Sequence, residues 1–150
     1  MYLKSEGNMK NTEYSELVNQ ETFPLHKEVP LDPPFVDARG SIQNILLSPI
    51  TSVAIITSKS GSVRSNHFHK TDWHYLYVIS GSMEYYERQV DMDPRLVDRL
   101  PLLVKTGQMV FTPPMHIHKT VFLEDTVLLS LAKNVRDHEH HEEDVIRVEF

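Results

Sequence analysis

Four histidines stand at spacings that would let their side chains meet around one cation: His67, His69, His74 and His118. His67 and His69 are separated by one residue, so on a β-strand their side chains point to the same face, roughly 6.6 Å apart along the chain. Two imidazoles that lean together can place nitrogens at about 2.1 Å from one metal ion. The pair therefore predicts part of a metal site made of neutral imidazole nitrogens.

The other two histidines stand where further strands could bring them to the same point. His74 follows after four residues, enough for a tight turn, and alternates with Leu76 and Val78. If Leu76 and Val78 point into a barrel, His74 points there too. His118 lies just beyond Pro113-Pro114, on a later predicted strand. We expect the four histidines to bind one metal ion per chain. The alternative for His74 is that it contacts a substrate or one of the metal-binding residues without binding the metal itself.

Acid–base and anion-binding groups accompany these histidines. His116, Tyr75 and Tyr85 are candidate catalytic residues, because an imidazole or a phenol can move a proton. Arg64 is a candidate substrate-binding residue that could hold a phosphate or carboxylate bidentately. The alternatives are barrel wall for the tyrosines and a surface salt bridge for Arg64. Strand alternation puts Arg64 and His67 on opposite faces, so both reach one pocket only if a bulge or twist separates them.

The elements that carry these residues are predicted to be short strands. Runs such as residues 53–57, 73–79 and 83–90 are rich in β-branched and aromatic residues, and turn residues separate about nine such runs. Helical periodicity is almost absent, which indicates a β-sandwich or barrel over residues 35–150. Residues 1–34 are polar and carry four prolines between positions 24 and 34. Because proline fixes φ and lacks an N–H, we expect an extended N-terminal arm there.

Composition narrows the classes of function. The chain has 150 residues, of which 40% are apolar and 24% charged, as in one globular domain. The absence of cysteine excludes disulfides and thiolate metal sites. A net charge of −6 disfavours nucleic acid as a partner. The apolar runs are far shorter than the roughly 20 residues that span a bilayer, so we expect a cytoplasmic protein without a membrane segment.

Three more histidines, His138, His140 and His141, lie in an acidic run near the C-terminus. Such a run is typical of a solvated tail, although it could bind metal adventitiously. We expect this segment to remain in solvent.

The two histidine-containing segments resemble the two sequence motifs of the cupin superfamily. The first cupin motif is Gly, five residues, His-x-His, three or four residues, Glu, six residues and Gly. Residues 61–81 keep this spacing with Gly61, His67, His69, His74 and Gly81. The second motif is Gly, five residues, Pro-x-Gly, two residues, His, three residues and Asn. Residues 107–122 keep it with Gly107, Pro113, Met115, His118 and Phe122. The resemblance implies an all-β, cupin-type double-stranded β-helix (jelly-roll) barrel.

Three positions depart from the cupin pattern. His74 replaces Glu, so the ligand set that the resemblance implies becomes four histidines. A site of four nitrogens suits one divalent Zn, Fe, Ni or Cu ion better than Mn. Met115 replaces a glycine that tolerates positive φ, and Phe122 replaces the terminal Asn.

A narrower resemblance concerns cupins that act on sugar nucleotides. Asp37-Ala38-Arg39-Gly40, followed by Arg64 and by His67-Phe68, is similar to the Asp-x-Arg-Gly and Arg-x-x-His-aromatic patterns of these proteins. They include dTDP-sugar 3,5-epimerases, dTDP-sugar ketoisomerases and capsule-synthesis reductases with a C-terminal cupin. In the epimerases the histidine that corresponds to His67 acts as a base, usually without metal. The resemblance implies a small-molecule substrate of the sugar-nucleotide class.

Three functions are compatible with these observations. The first is a metal-dependent isomerase or epimerase of a carbonyl sugar or nucleotide sugar, in which metal polarises the carbonyl and a tyrosine or non-ligating histidine moves the proton. The second is a non-haem iron dioxygenase. The third is a non-enzymatic cupin that binds a small ligand or serves as an accessory protein. We take the first as our hypothesis and expect a homodimer that forms through the N-terminal arm.

Overall fold

The computed structural model describes residues 23–94 and 101–149. Twelve strands and one helix are defined within these residues. In chain order they are β1 (Glu28–Val29), β2 (Phe35–Asp37), β3 (Gly40–Ile42), β4 (Ser52–Ser58), β5 (Val63–His69), β6 (His74–Ser80), β7 (Ser82–Gln89), β8 (Leu102–Lys105), β9 (Met109–Thr112), β10 (His116–Phe122), β11 (Thr126–Ala132), α1 (His138–Asp144) and β12 (Val145–Arg147). No helix in these two ranges is long and apolar enough to cross a membrane.

The strands form two five-stranded antiparallel sheets and a separate hairpin. One sheet has the order β1-β9-β6-β11-β4 and the other has the order β12-β5-β10-β7-β8, while β2 pairs only with β3. From β4 to β12 the chain passes from one sheet to the other at each step except β7–β8, which pair within one sheet; this is the pattern of a double-sheet jelly roll. The predicted cupin-type all-β fold is confirmed. The strands beyond the nine expected are mostly two- or three-residue elements such as β1, β2 and β3.

Strand β6 has both faces buried. Leu76 and Val78 point between the sheets into the main core, at 6% and 0% exposure. Trp73 and Tyr75 belong to a second cluster, in which they pack against Phe111. The alternation expected for this strand is therefore confirmed, and it carries His74 to the inner face.

The described part of the N-terminal arm packs on the barrel of its own chain. Strand β1 extends the first sheet, with Glu28 opposite Val110 of β9. It ends immediately before Pro30, which has no N–H to continue the pairing. Upstream, the ring centroid of Phe23 lies 5.2 Å from that of Phe111. Residues 1–22 of the predicted arm lie outside the described residues.

Candidate functional site

Three of the four predicted imidazoles converge from two neighbouring strands of one sheet. His67 and His69 share a face of β5, and His118 of β10 stands opposite His67 in the antiparallel register. The His67 ring centroid lies 4.9 Å from that of His69 and 4.7 Å from that of His118. One nitrogen from each ring can be chosen so that all three lie within 4.8 Å of one another. We call these three residues the histidine triad.

His74 reaches the same place from the other sheet. Its ring centroid lies 5.4 Å from that of His69 and 5.0 Å from that of His118, and it is only 3% exposed. It is not part of the group whose nitrogens all lie within 4.8 Å. Instead, its Nδ1 accepts a hydrogen bond from Nη2 of Arg136 at 3.0 Å. The same Nη2 lies 3.5 Å from Nε2 of His69, so Arg136 is paired more closely with His74 than with the triad. The structure thus brings the four predicted rings together.

The triad and His74 line a cavity of about 210 Å³ between the sheets. Its floor is apolar and includes Leu76 and Phe122, both almost fully buried. Arg64 and Arg136 add two guanidinium groups, and His141 adds a fifth imidazole. We call this space the imidazole cavity. Its chemistry combines nitrogen lone pairs with cationic hydrogen-bond donors, which suits an oxygen-rich, anionic or carbonyl-bearing ligand.

The imidazoles are neutral around pH 7. Burial lowers the pKa of His67 to about 4, that of His69 to about 2 and that of His118 to about 3. Burial also holds the pKa of His74 well below its ordinary value. In all four cases the positive charge of Arg136 adds to the lowering. A neutral imidazole keeps the free electron pair that a metal ion requires.

A bulge in β5 resolves the conflict between strand alternation and a shared pocket. His67 stands opposite His118, whereas Ser65 stands opposite the next residue, Lys119, so Asn66 is an extra residue. Ser65 and Asn66 have φ values of +75° and +55°, in the left-handed region. Such backbone strain is common beside functional sites. The extra residue changes which side chains of β5 share a face on either side of the bulge.

Because of this bulge, Arg64 and His67 line the same cavity. Arg64 lies at the exposed rim, where its Nε donates to Oγ of Ser58 at 2.7 Å and its Nη2 donates to the carbonyl of Thr57 at 2.9 Å. A guanidinium has five N–H donors, so three remain after these two bonds. The side chain is therefore fixed in direction and still able to bind an anion.

Met115 keeps the backbone conformation of the glycine that cupins have at this position. Its φ is +62°, and its N–H donates to the carbonyl of His69 at 2.8 Å. The loop before β10 is thus tied directly to the strand that carries the triad pair. The substitution leaves a positive φ on a residue with a side chain, which is a strained arrangement.

The C-terminal segment contributes two residues that sequence reasoning missed. The ring of His141 lies 6.2 Å from that of His67 and 5.5 Å from that of His69, so the expectation of a solvated tail is wrong for His141. Arg136 stands just before α1 and reaches into the cavity. The sequence did contain a signal for this helix, because an Asp before a charged run is a typical helix start. In the structure Asp137 caps α1 by accepting from the backbone N–H of His140.

Asp144 holds this segment against the turn between β5 and β6. Its carboxylate accepts from the N–H of Thr71 at 2.9 Å, from Oγ1 of Thr71 at 2.8 Å and from the N–H of Asp72 at 3.0 Å. Asp144, Asp72 and His69 also form a group of metal-ligating types within 4.8 Å. The two carboxylates are committed to backbone donors and to Arg136, so this second group is a structural clamp.

The three candidate catalytic residues lie elsewhere. Tyr75 packs in the second cluster on the opposite face of β6, and Tyr85 is fully buried, with its hydroxyl 2.6 Å from that of Thr112. Burial raises the pKa of both phenols. His116 lines a different cleft and is hydrogen-bonded through Nδ1 to Glu87. The described lining of the imidazole cavity contains none of the three.

Comparison with known proteins gives one family match. The family described as "Polysaccharide biosynthesis C-terminal domain" matches residues 35–145. No curated protein sequence matches the chain significantly.

Similar solved structures share the fold. The dTDP-4-dehydrorhamnose 3,5-epimerase of Sulfolobus tokodaii has 16% identity and a TM-score of 0.62, over 78% of this chain and 73% of that one. QdtA, a sugar 3,4-ketoisomerase of Thermoanaerobacterium thermosaccharolyticum in complex with TDP, has 20% identity and a TM-score of 0.61, over 83% and 90%. The capsular polysaccharide assembling protein CapF of Staphylococcus aureus has 25% identity and a TM-score of 0.58, over 81% of this chain but only 35% of CapF. The predicted resemblance to sugar-nucleotide and capsule-synthesis cupins is confirmed.

Proposed function

Because this chain belongs to the polysaccharide biosynthesis C-terminal domain family, we propose that it is an isomerase or epimerase of a carbonyl sugar or nucleotide sugar. The observation that carries this proposal is the meeting of four neutral imidazoles with two guanidinium groups in one small cavity. Isomerisation and epimerisation beside a carbonyl need a group that removes a carbon-bound proton and donors that stabilise the enediolate oxygen. The imidazole cavity offers both kinds of group.

The size of the cavity favours a sugar rather than a whole nucleotide inside it. Its volume of about 210 Å³ is below the range of about 300–1,000 Å³ typical of pockets that enclose a drug-sized ligand. A nucleoside diphosphate would therefore lie outside, along the rim where Arg64 has three unused donors. That the ketoisomerase QdtA was solved with TDP supports a nucleotide-linked substrate for this chain as well.

We further propose that the histidine triad binds one divalent transition metal, with Zn, Fe, Ni or Cu favoured over Mn. The residues fit such an ion, because three neutral imidazole nitrogens lie within 4.8 Å of one another. Nδ1 of His69 lies 3.5 Å from Oδ2 of Asp144, a carboxylate that can hold a proton on Nδ1 and leave the free electron pair on Nε2. When bound, the metal would act as a Lewis acid on a substrate carbonyl. The charge of the nearby Arg136 is balanced by its ion pair with Asp72.

The remaining residues would orient the sugar and handle its proton. Arg64 binds the anionic part, and the apolar floor around Leu76 and Phe122 excludes water from the reacting carbons. Proton transfer falls to an imidazole outside the triad, because Tyr75 and Tyr85 lie away from the cavity. His141 is half-buried at the cavity wall, where one of its ring nitrogens can accept the proton.

Incubation in D₂O with a panel of nucleotide-linked keto sugars tests the proposed function. An isomerase or epimerase should place solvent deuterium on a carbon next to the carbonyl, which mass spectrometry and NMR detect whatever the identity of the product. Tight binding without deuterium uptake would instead support a binding protein. Oxygen consumption that depends on ferrous iron would support a dioxygenase.

Elemental analysis of protein prepared without a His-tag tests the metal. We expect about one transition metal per chain, lost in a variant that carries both His67→Ala and His69→Ala. A variant with His26→Ala and His140→Ala is the matched control, because both histidines are exposed and neither is in the cavity lining. Metal retained by the first variant and lost from the second would refute the triad as the site.

The expected homodimer also remains a proposal, and exposed apolar side chains support it. Strand β4 is an edge strand, and its Val53 and Ile55 are 60% and 71% exposed. The β2–β3 hairpin exposes Val36 and Ile42. A long apolar edge is normally covered in a native protein. Light scattering should give a dimer mass, and a Val53→Lys, Ile55→Lys variant should give a monomer if a second copy covers this edge.

A further inference from the structure

Asp72, Arg136 and His74 form a row of hydrogen bonds along the cavity wall. Nε of Arg136 donates to Oδ2 of Asp72 at 2.7 Å, and Nη2 of Arg136 donates to Nδ1 of His74 at 3.0 Å. The side chains of Asp72 and Arg136 are only 2% and 19% exposed, and Oδ1 of Asp72 also accepts from the N–H of Asn134 at 2.9 Å. The guanidinium is thus held by a buried, charge-assisted bond while it faces the ring.

The chemistry of arginine restricts the protonation of His74. A guanidinium has donors and no acceptor, so the nitrogen it faces must present its free electron pair. Nδ1 of His74 is therefore unprotonated, and the single proton of the neutral ring lies on Nε2. No described residue makes a hydrogen bond to this Nε2, although the side chain lines the imidazole cavity. The low pKa of His74, caused first by burial and then by Arg136, agrees with a neutral ring.

We propose that Arg136 is a positioning residue that fixes His74 in its Nε2–H tautomer and so makes His74 a hydrogen-bond donor in the cavity rather than a metal ligand. A metal ligand needs a free electron pair, and the one on Nδ1 of His74 accepts from Nη2 of Arg136 at 3.0 Å, whereas Nε2 of His69 stands 3.5 Å from the same Nη2, at the outer limit of a hydrogen bond. The N–H, polarised by the adjacent guanidinium, is suited to an oxygen on which negative charge develops. This donor role rests on the proposed function, whereas the tautomer and the role of Arg136 do not.

Long-range ¹H–¹⁵N correlation NMR of metal-free protein labelled at histidine nitrogens tests the tautomer directly. The signals of His74 are identified by their loss in His74→Gln. We expect the Nε2–H pattern in the wild-type protein and in Arg39→Met, which removes an exposed arginine of the β2–β3 hairpin. In Arg136→Met the pattern should change to a mixture of tautomers or to Nδ1–H. An Nδ1–H pattern in the wild-type protein, or an unchanged pattern in Arg136→Met, would overturn the proposal.

Arg136→Lys keeps the protein testable if the methionine variant does not fold. Lysine supplies a cation with donors but lacks the planar fork that joins Asp72 to His74, so partial loss of the Nε2–H form is expected. A full Nε2–H signal in Arg136→Lys, with no sign of the other tautomer, would show that the fork has no role and would count against the proposal.

Zinc titration separates this proposal from the metal site. Added Zn²⁺ should shift the ligating nitrogens of the triad strongly and leave Nδ1 of His74 without the shift of direct coordination. Strong shifts at all four histidines would make His74 a ligand and overturn the proposal while confirming the metal.

In the deuterium-exchange assay, Arg136→Met should lower kcat about tenfold with KM little changed. A wild-type protein without exchange activity would refute the proposed function, yet the NMR result would still decide the tautomer.

Discussion

Metal-free protein should lose stability steeply just below neutral pH, because its buried imidazoles are hard to protonate. His69, His74 and His118 are 1%, 3% and 1% exposed. Burial lowers the pKa of all three below the unfolded value of about 6.5. Above pH 6.5 neither state binds these protons, so the contribution to stability is complete. As the pH falls below 6.5, only the unfolded chain takes up protons, and the free energy of unfolding decreases.

The size of this effect depends only on the pKa of histidine in the unfolded chain, as long as the pKa in the folded protein lies below the pH of the experiment. Between pH 7 and pH 5.5, each histidine that is protonated only on unfolding lowers the free energy of unfolding by about 1.3 kcal/mol. The three fully buried rings together give roughly 4 kcal/mol, and His67, whose folded pKa is about 4, adds to it. The total free energy of unfolding of a domain is only about 5–15 kcal/mol. Mild acid should therefore remove much of the stability of the metal-free protein.

Urea unfolding followed by the fluorescence of the single, buried Trp73 measures this change. The variant His118→Asn should reduce the fall between pH 7 and pH 5.5 by about 1.3 kcal/mol. His26→Asn, which removes an exposed histidine, should leave the fall unchanged. A wild-type fall of less than about 1 kcal/mol would mean that the folded rings take up protons nearly as readily as the unfolded chain does, and this would contradict the effect of burial on their pKa.

Three further changes test separate parts of the structure. Gly81→Ala should lower the free energy of unfolding by about 1–3 kcal/mol more than Gly61→Ala, as measured by urea unfolding. Both glycines have positive φ, but a Cβ on Gly81 would lie 2.4 Å from Oγ1 of Thr126, whereas one on Gly61 meets nothing within 4 Å; equal losses would contradict this steric explanation. Asp144→Ala should lower the free energy of unfolding by about 2–4 kcal/mol because three hydrogen bonds to a carboxylate are lost; a loss below that of Asp144→Asn would refute the clamp. Arg64→Met should raise KM for a nucleotide-linked substrate about tenfold or more with kcat little affected; an unchanged KM would remove Arg64 from the binding site.

The strand pattern and the histidine spacing predicted most of the barrel and the triad, because both depend on local periodicity. Side chains two residues apart on a strand share a face, so His67 and His69 could be paired from their spacing alone. The alternation of His74 with Leu76 predicted its burial for the same reason. Sequence did not reveal the partner of His74, because a contact with Arg136 spans 62 residues and depends on how the chain returns to the barrel.

The candidate catalytic residues lie outside the imidazole cavity for a related reason. His116 has the same strand parity as His118, but it stands at the start of β10 and is drawn to Glu87 of the neighbouring strand, in a different cleft. Tyr75 is the next residue after His74 on β6, and strand alternation by itself puts it on the face away from His74. Odd or even position along a strand predicts which face a side chain is on, but not which neighbours it meets along that face. The bulge at Asn66 shows the complementary case, in which an irregularity overrides parity and brings Arg64 to the cavity.

The cavity is assembled from three parts of the fold that can respond separately to change. The triad comes from β5 and β10, which are hydrogen-bonded neighbours, so its geometry is set within one sheet. His74 comes from the other sheet, and Arg136 and His141 come from the C-terminal segment that Asp144 ties to the β5–β6 turn. A metal on the triad would therefore depend first on this sheet, and on the C-terminal segment only through His69, which lies 3.5 Å from both Asp144 and Arg136. Recognition of a sugar oxygen by His74 requires that arrangement, because Arg136 sets the tautomer only where the C-terminal segment meets the opposite sheet.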